Sequence, residues 1–92
     1  MTTKEAVTSL LQQRKYSHRT VESYVGWFDR LSSYFHGRAV ADLDTEDIAS
    51  YFQHLQSKRL NDQTVRQASS ALRFIFREVI RKKELVAVIP VI

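Results

Sequence analysis

Apolar residues recur three and four positions apart along most of this 92-residue chain, with polar residues on the faces between them. No stretch alternates with period two for long, and only two Gly and one Pro interrupt the pattern. The spacing predicts an all-α fold, a single bundle of four helices. Thr2 and Glu5 have capping-box spacing, and Val7, Leu10, Leu11 and Arg14 mark a short first helix over about 3–14. Lys15, Tyr16 and Ser17 form a turn, and Ser17 caps a second helix over about 18–36. Val21, Tyr24, Val25, Phe28, Leu31 and Phe35 share its inner face, and Gly37 stops it as a left-handed cap. A connector over 38–44 leads to a third helix, about 46–58, capped by Asp44 or Thr45, with Glu46 and Asp47 suited to its N-terminal dipole. Its inner face is Ile48, Tyr51, Phe52 and Leu55. After a turn at 59–61, Asn61 caps a fourth helix over about 62–83, with Val65, Ala68, Leu72, Ile75, Phe76 and Val79 as its stripe. Trp27, Tyr34 and Phe74 fall at helix flanks and read as core or edge packing rather than base-stacking platforms. Past Leu85 the pattern dissolves, so residues 1–85 read as one helical domain and 86–92 as the start of a linker.

Two outer faces change the picture. At about 100° per residue, Arg66, Ser70, Arg73 and Arg77 line up opposite the stripe of the fourth helix, flanked by Gln63 and Arg81. An ordinary solvated helix face mixes Glu with Lys in i,i+4 pairs. This one carries a single sign and uses Arg, which meets phosphates and guanine edges bidentately. Glu78 points to the side of the ridge. Asn61, Gln63 and Gln67 add donors and acceptors for bases or phosphates. On the second helix, Arg19, Ser23, Gly26 and Arg30 cluster opposite Phe28. An outward Gly costs about 1 kcal/mol relative to Ala. Gly26 either permits close approach of a partner's backbone or is a neutral surface choice. Lys15, His18, Arg19 and Thr20 gather where that helix begins, and free N–H groups there favour phosphate. The third helix starts with Asp42, Asp44, Glu46 and Asp47, so it should face away from a polyanion.

Charge follows the same division. Residues 1–57 hold six Lys/Arg against seven Asp/Glu, a net −1, whereas residues 58–92 hold eight against three, a net +5. A basic half fits a nucleic-acid partner, and equally a solubilising surface. No cysteine is present, which excludes disulfides, thiol catalysis and thiolate metal sites. No apolar run reaches the roughly 18 residues of a membrane span. Residues 1–15 carry Lys4, Glu5, Gln12, Gln13 and Arg14 and read as no signal peptide.

Candidate chemistry is sparse. His18, His36 and His54 lie on separate segments without partnering carboxylates, so no metal site is expected. The acidic run at 42–47 lacks the glycine and spacing of a calcium loop and is better explained by capping. Ser32–Ser33 and Ser69–Ser70 have no nearby His–Asp arrangement. Tyr16, Tyr24, Tyr34 and Tyr51 lack an activating base. The chain is therefore expected to be no enzyme and to need no cofactor.

Several segments, in order, resemble the tyrosine recombinase (phage integrase) family. "YSHRTVESYVGWFDRLSSYF" resembles the second helix of its N-terminal core-binding domain, and "LDTEDIASYFQHL" the third. "NDQTVRQASSALRFIFREVIRKKEL" looks like the fourth. The closing "VIP" resembles the boundary before the family's catalytic domain, with Ile89 where asparagine is commoner. The resemblance implies a SAM-like four-helix bundle that forms one jaw of a clamp around double-stranded DNA. Position by position it points to Arg19, Thr20 and Ser23, and to Gln63, Thr64, Arg66, Gln67, Ser70 and Arg73. Thr64 can instead serve the start of its helix. The family's catalytic Arg, Lys, His and tyrosine nucleophile belong to the following domain, and no segment here matches them. The partners implied are DNA and other recombinase protomers on the DNA site. The isolated domain would be a monomer, cytoplasmic and nucleoid-associated, encoded by a bacterium or phage.

Two rival readings stay open. A helical protein–protein interaction domain predicts a self-associating surface and no salt-dependent DNA binding. A stand-alone helix-turn-helix regulator requires a short recognition helix, against roughly 22 residues in the fourth helix here.

Overall fold

The computed structural model describes residues 3–58 and 61–90. Thr2 of the expected capping box and most of the 59–61 turn lie outside them. The described residues form helices α1 (Thr3–Gln13), α2 (His18–Tyr34), α3 (Thr45–Ser57), α4 (Asp62–Phe74) and α5 (Lys83–Ala87). A 3₁₀ turn, Val40–Asp42, precedes α3, and a π-helical segment, Ile75–Val79, continues α4. No strand occurs among the described residues. The expected all-α bundle is thus present, with a short fifth helix added.

Local chemistry starts α2, α3 and α4 where the sequence places them. Ser17 Oγ accepts from Thr20 N at 3.2 Å, and Asn61 Oδ1 from Thr64 N at 2.8 Å. Asp44 and Asp47 exchange hydrogen bonds at 2.9 and 3.1 Å, a complete capping box that makes Asp44, not Thr45, the cap. Each such cap contributes about 1 kcal/mol.

The helix ends differ from expectation. α1 closes with Tyr16 N donating to Leu11 O at 3.1 Å around Lys15 at φ 60°. α2 stops at Tyr34, and Gly37 N reaches back to Ser32 O at 2.8 Å. His36, at φ 58°, takes the first left-handed position there, followed by Gly37 at φ 81°. Both closures are six-to-one bonds of the Schellman kind. A lysine or histidine at such a φ costs about 1–2 kcal/mol that glycine would not.

The fourth helix is the main correction. It does not run unbroken to residue 83. Ile80 N donates to Ile75 O at 2.9 Å, Lys82 N to Phe76 O at 2.9 Å, and Arg81 turns the chain at φ 63°. Phe74, Ile75 and Phe76 are consecutive and all buried. Three successive residues of an α-helix span about 200°, too wide for one inner stripe. The wider π turn sets neighbours at smaller angles, and all three side chains enter the interior.

Val7, Leu11, Leu31, Ile48, Leu72, Ile75 and Phe76 are fully buried at the centre, and each contributes about 1.5–3 kcal/mol. Val21, Phe28, Phe52 and Leu55 are also buried, while Leu10, Tyr24, Phe35 and Val79 are only partly so. The connector is more than a link: Val40 and Leu43 are 2% and 1% exposed. Arg38 spans it with its guanidinium, reaching Asp42 O at 3.4 Å and Asp47 Oδ2 at 3.5 Å. Lys82 Nζ donates to Ala41 O and ties the connector to the turn before α5. Packing also continues past residue 85. Leu85 and Ile89 are buried, and Ser69 Oγ donates to Pro90 O.

Candidate nucleic-acid interface

α2 packs directly on α4. Their outer faces therefore meet, and the furrow between them collects polar residues that lie forty or more positions apart in the chain. Arg19, Thr20 and Ser23 of α2 oppose Gln63, Arg66, Gln67 and Ser70 of α4 across one concavity. A second adjoins it and shares Tyr24, Arg66 and Ser70. It continues along Arg73 to Arg77, with Tyr16, Ser69 and Phe74 in its wall. The geometric ridge and the α2 face are thus two sides of one groove.

The electrostatics are one-sided. Arg19, Arg66 and Arg73 have no carboxylate partner among the described residues, and no acidic side chain lines either concavity. Arg77 is less free, because its Nε lies 4.0 Å from Glu78 Oε1. Glu78 chiefly serves Arg14, whose Nη1 it holds at 3.0 Å. Arg14 in turn lies 5.5 Å from the centre of the Phe74 ring. Burial and the neighbouring Tyr16 push the Tyr24 phenol up from its ordinary value, against a smaller opposing effect of Arg77. Tyr24 therefore stays neutral and retains its donor at the seam of the groove.

Other expected residues are elsewhere or otherwise engaged. Thr64 lines a separate concavity with Trp27, Tyr34 and His54, and its backbone N–H is held by the Asn61 cap. Asn61 is engaged as that cap. His18 pairs with Glu22 through Nε2 at 2.8 Å, largely in solvent. Lys15 is exposed at the left-handed turn beside Tyr16. Neither His18 nor Lys15 lines the groove. Arg30, grouped with the α2 face on helical phase, stacks on Trp27 at 4.7 Å in the Thr64 concavity. Arg30 lies about three turns beyond Arg19, past the stretch where α2 and α4 form the furrow. Arg81 stands at the turn after the π segment. Gly26 has nothing within 4 Å of where a Cβ would lie, so packing does not require it.

The sequence missed the aromatic wall. Tyr16, Tyr24 and Phe74 pack on one another with centroids 5.7–6.3 Å apart. Helical phase placed Tyr24 on an inner face and gave Tyr16 none. The available signal was Tyr24 standing one turn beyond Thr20 on the same helix.

Comparison with known proteins decides the family. A family model described as "Phage integrase, N-terminal SAM-like domain" matches residues 4–84. The chain belongs to this family. No curated protein and no solved structure matches it. The matched region is the integrase N-terminal domain and not the catalytic one. DNA and recombinase partners are those the integrase family implies in general. No described helix is long and apolar enough to cross a membrane, and no cluster of metal-ligating side chains forms among the described residues.

Proposed function

We propose that this integrase N-terminal domain holds duplex DNA in the α2–α4 groove while a separate C-terminal domain catalyses strand exchange. The observation that carries the reading is the meeting of Arg19 with Arg66 and Arg73, all without carboxylate partners among the described residues. Unpaired guanidinium groups released into a concave furrow are suited to phosphate oxygens, and Gln63, Gln67, Thr20 and Ser23 supply polar groups beside them. Lys15, next to Tyr16 in the chain, adds a cation beside the groove, and His18 is proposed to contact DNA only on release from Glu22. In this role the domain acts on the nucleoid beside other protomers bound to the same site, is a monomer alone, and leaves the chemistry to residues of the catalytic domain.

A single jaw should bind weakly, in the range of about 10⁻⁴–10⁻⁶ M typical of non-specific binding at physiological salt. Fluorescence anisotropy at two salt concentrations tests this. Affinity should fall steeply with salt, and removing any one arginine that neutralises a phosphate should flatten the log–log slope by about 0.9. The combined Arg66→Ala, Arg73→Ala, Arg77→Ala variant should stay folded and lose most of its binding. If it binds duplex DNA as well as the parent, the groove is a solvated surface and the protein-interaction reading takes its place.

A further inference from the structure

The wall of the groove is unlike that of an ordinary arginine-lined furrow. Tyr16 is the one exposed large hydrophobic side chain among the described residues, 42% accessible, and it shares a concavity with Arg66, Arg73 and Arg77. Its ring is not loose. It stands edge-on to Phe74 at 6.0 Å and lies 6.3 Å from Tyr24. Its backbone N–H closes the end of α1 onto Leu11 O, and that closure requires Lys15 at φ 60°. A position that glycine fills with least strain is thus filled by a cation, and the strained turn delivers an aromatic ring to a basic groove.

We infer that the groove takes an unpaired stretch of a DNA strand, with a base stacked on Tyr16 and the flanking phosphates on Arg66, Arg73 and Arg77. This rests on the nucleic-acid reading above and refines it: the duplex that the domain holds presents a short unpaired stretch to the Tyr16 end of the groove. Inside a duplex the faces of the bases are covered by their neighbours, and a protein meets only their edges. A partly exposed tyrosine ring beside three arginines is suited to a base freed from the stack. Rings interleaved with cations along a groove are how single strands are held without sequence preference.

The test uses the full chain and three labelled ligands of matched sequence: an intact duplex, the same duplex with an internal bulge of a few unpaired nucleotides, and the single strand. The parent should bind the bulged duplex at least about fivefold more tightly than the intact one, the gain from one stacked base. Tyr16→Leu keeps bulk but removes the ring, and should bring that ratio to about one and weaken single-strand binding by a similar factor. Tyr16→Phe should preserve both. Circular dichroism and thermal melting establish that each variant is folded. Equal affinity of the parent for bulged and intact duplexes overturns the inference and leaves the duplex reading standing. A preference that survives Tyr16→Leu also overturns it, because bulge flexibility then accounts for the gain. Failure of the parent to bind any of the three removes both readings together.

Discussion

Two charged regions of this domain use their charges in opposite ways. At the start of α3, Asp44 and Asp47 cap one another's backbone N–H groups, and Arg38 reaches Asp47 at 3.5 Å. In the α2–α4 groove, Arg19, Arg66 and Arg73 face a furrow lined by no carboxylate. Both regions are polar and largely exposed, and composition alone would treat them alike. The difference is where the partner comes from. The α3 charges are satisfied within a few residues, and their contribution is to folding. The groove arginines Arg19, Arg66 and Arg73 find no such partner among the described residues, and the fold bears the mutual repulsion of like charges that results.

The largest expected effect removes both regions at once. Phe76 is fully buried in the π segment that bridges α4 and the turn to α5. Phe76→Ala should cost about 3–5 kcal/mol. That is a large share of the roughly 5–15 kcal/mol that holds a small domain together. Thermal unfolding followed by circular dichroism measures it, and a variant that melts like the parent would show that the π segment is not packed into the core.

A second change separates the regions. Asp44→Ala removes the cap of α3 and should lower stability by about 1 kcal/mol, visible in urea unfolding. Its DNA affinity should equal that of the parent, because α3 does not line the groove. Arg66→Ala should do the reverse, with stability within about 0.5 kcal/mol of the parent and weakened binding. Equal weakening of affinity in the two variants would mean that the two regions do not differ in function.

The smallest effect concerns Gly26. Open space surrounds the position of its missing Cβ. Gly26→Ala should therefore stabilise α2 by up to about 1 kcal/mol. An unchanged duplex affinity would mark the glycine as a neutral surface choice. A weakened one would mean that DNA approaches the α2 backbone there.

Legibility from sequence divides along similar lines. The start of α2 was readable because Ser17 stands immediately before the periodic run, and the groove arginines because 66, 73 and 77 recur at helical spacing. Thr64 had two readings because its neighbours Gln63 and Arg66 face the groove, and the structure shows the one at the helix start, with its N–H held by Asn61 and its side chain beside Trp27 and Tyr34. Tyr16 lies outside any helical period, so no pattern gave it a direction.

The sequence by itself determined what depends on residues within four or five positions of one another. That covers the helical class, the caps at Ser17 and Asn61, the choice of Asp44 or Thr45 at the start of α3, and the one-signed face of α4. Backbone hydrogen bonds and helical periodicity act over that range. Only the tertiary structure decided which faces meet. Packing α2 on α4 joined Arg19 to Arg66 and sent Arg30 to the other side. The need to bury Phe74, Ile75 and Phe76 together replaced the last turns of a predicted helix with a π segment. The interior then drew in Ile89 from a segment without periodicity. These outcomes depend on how side chains from distant segments fill one close-packed volume, and that is a property of the assembled helices and not of any one of them.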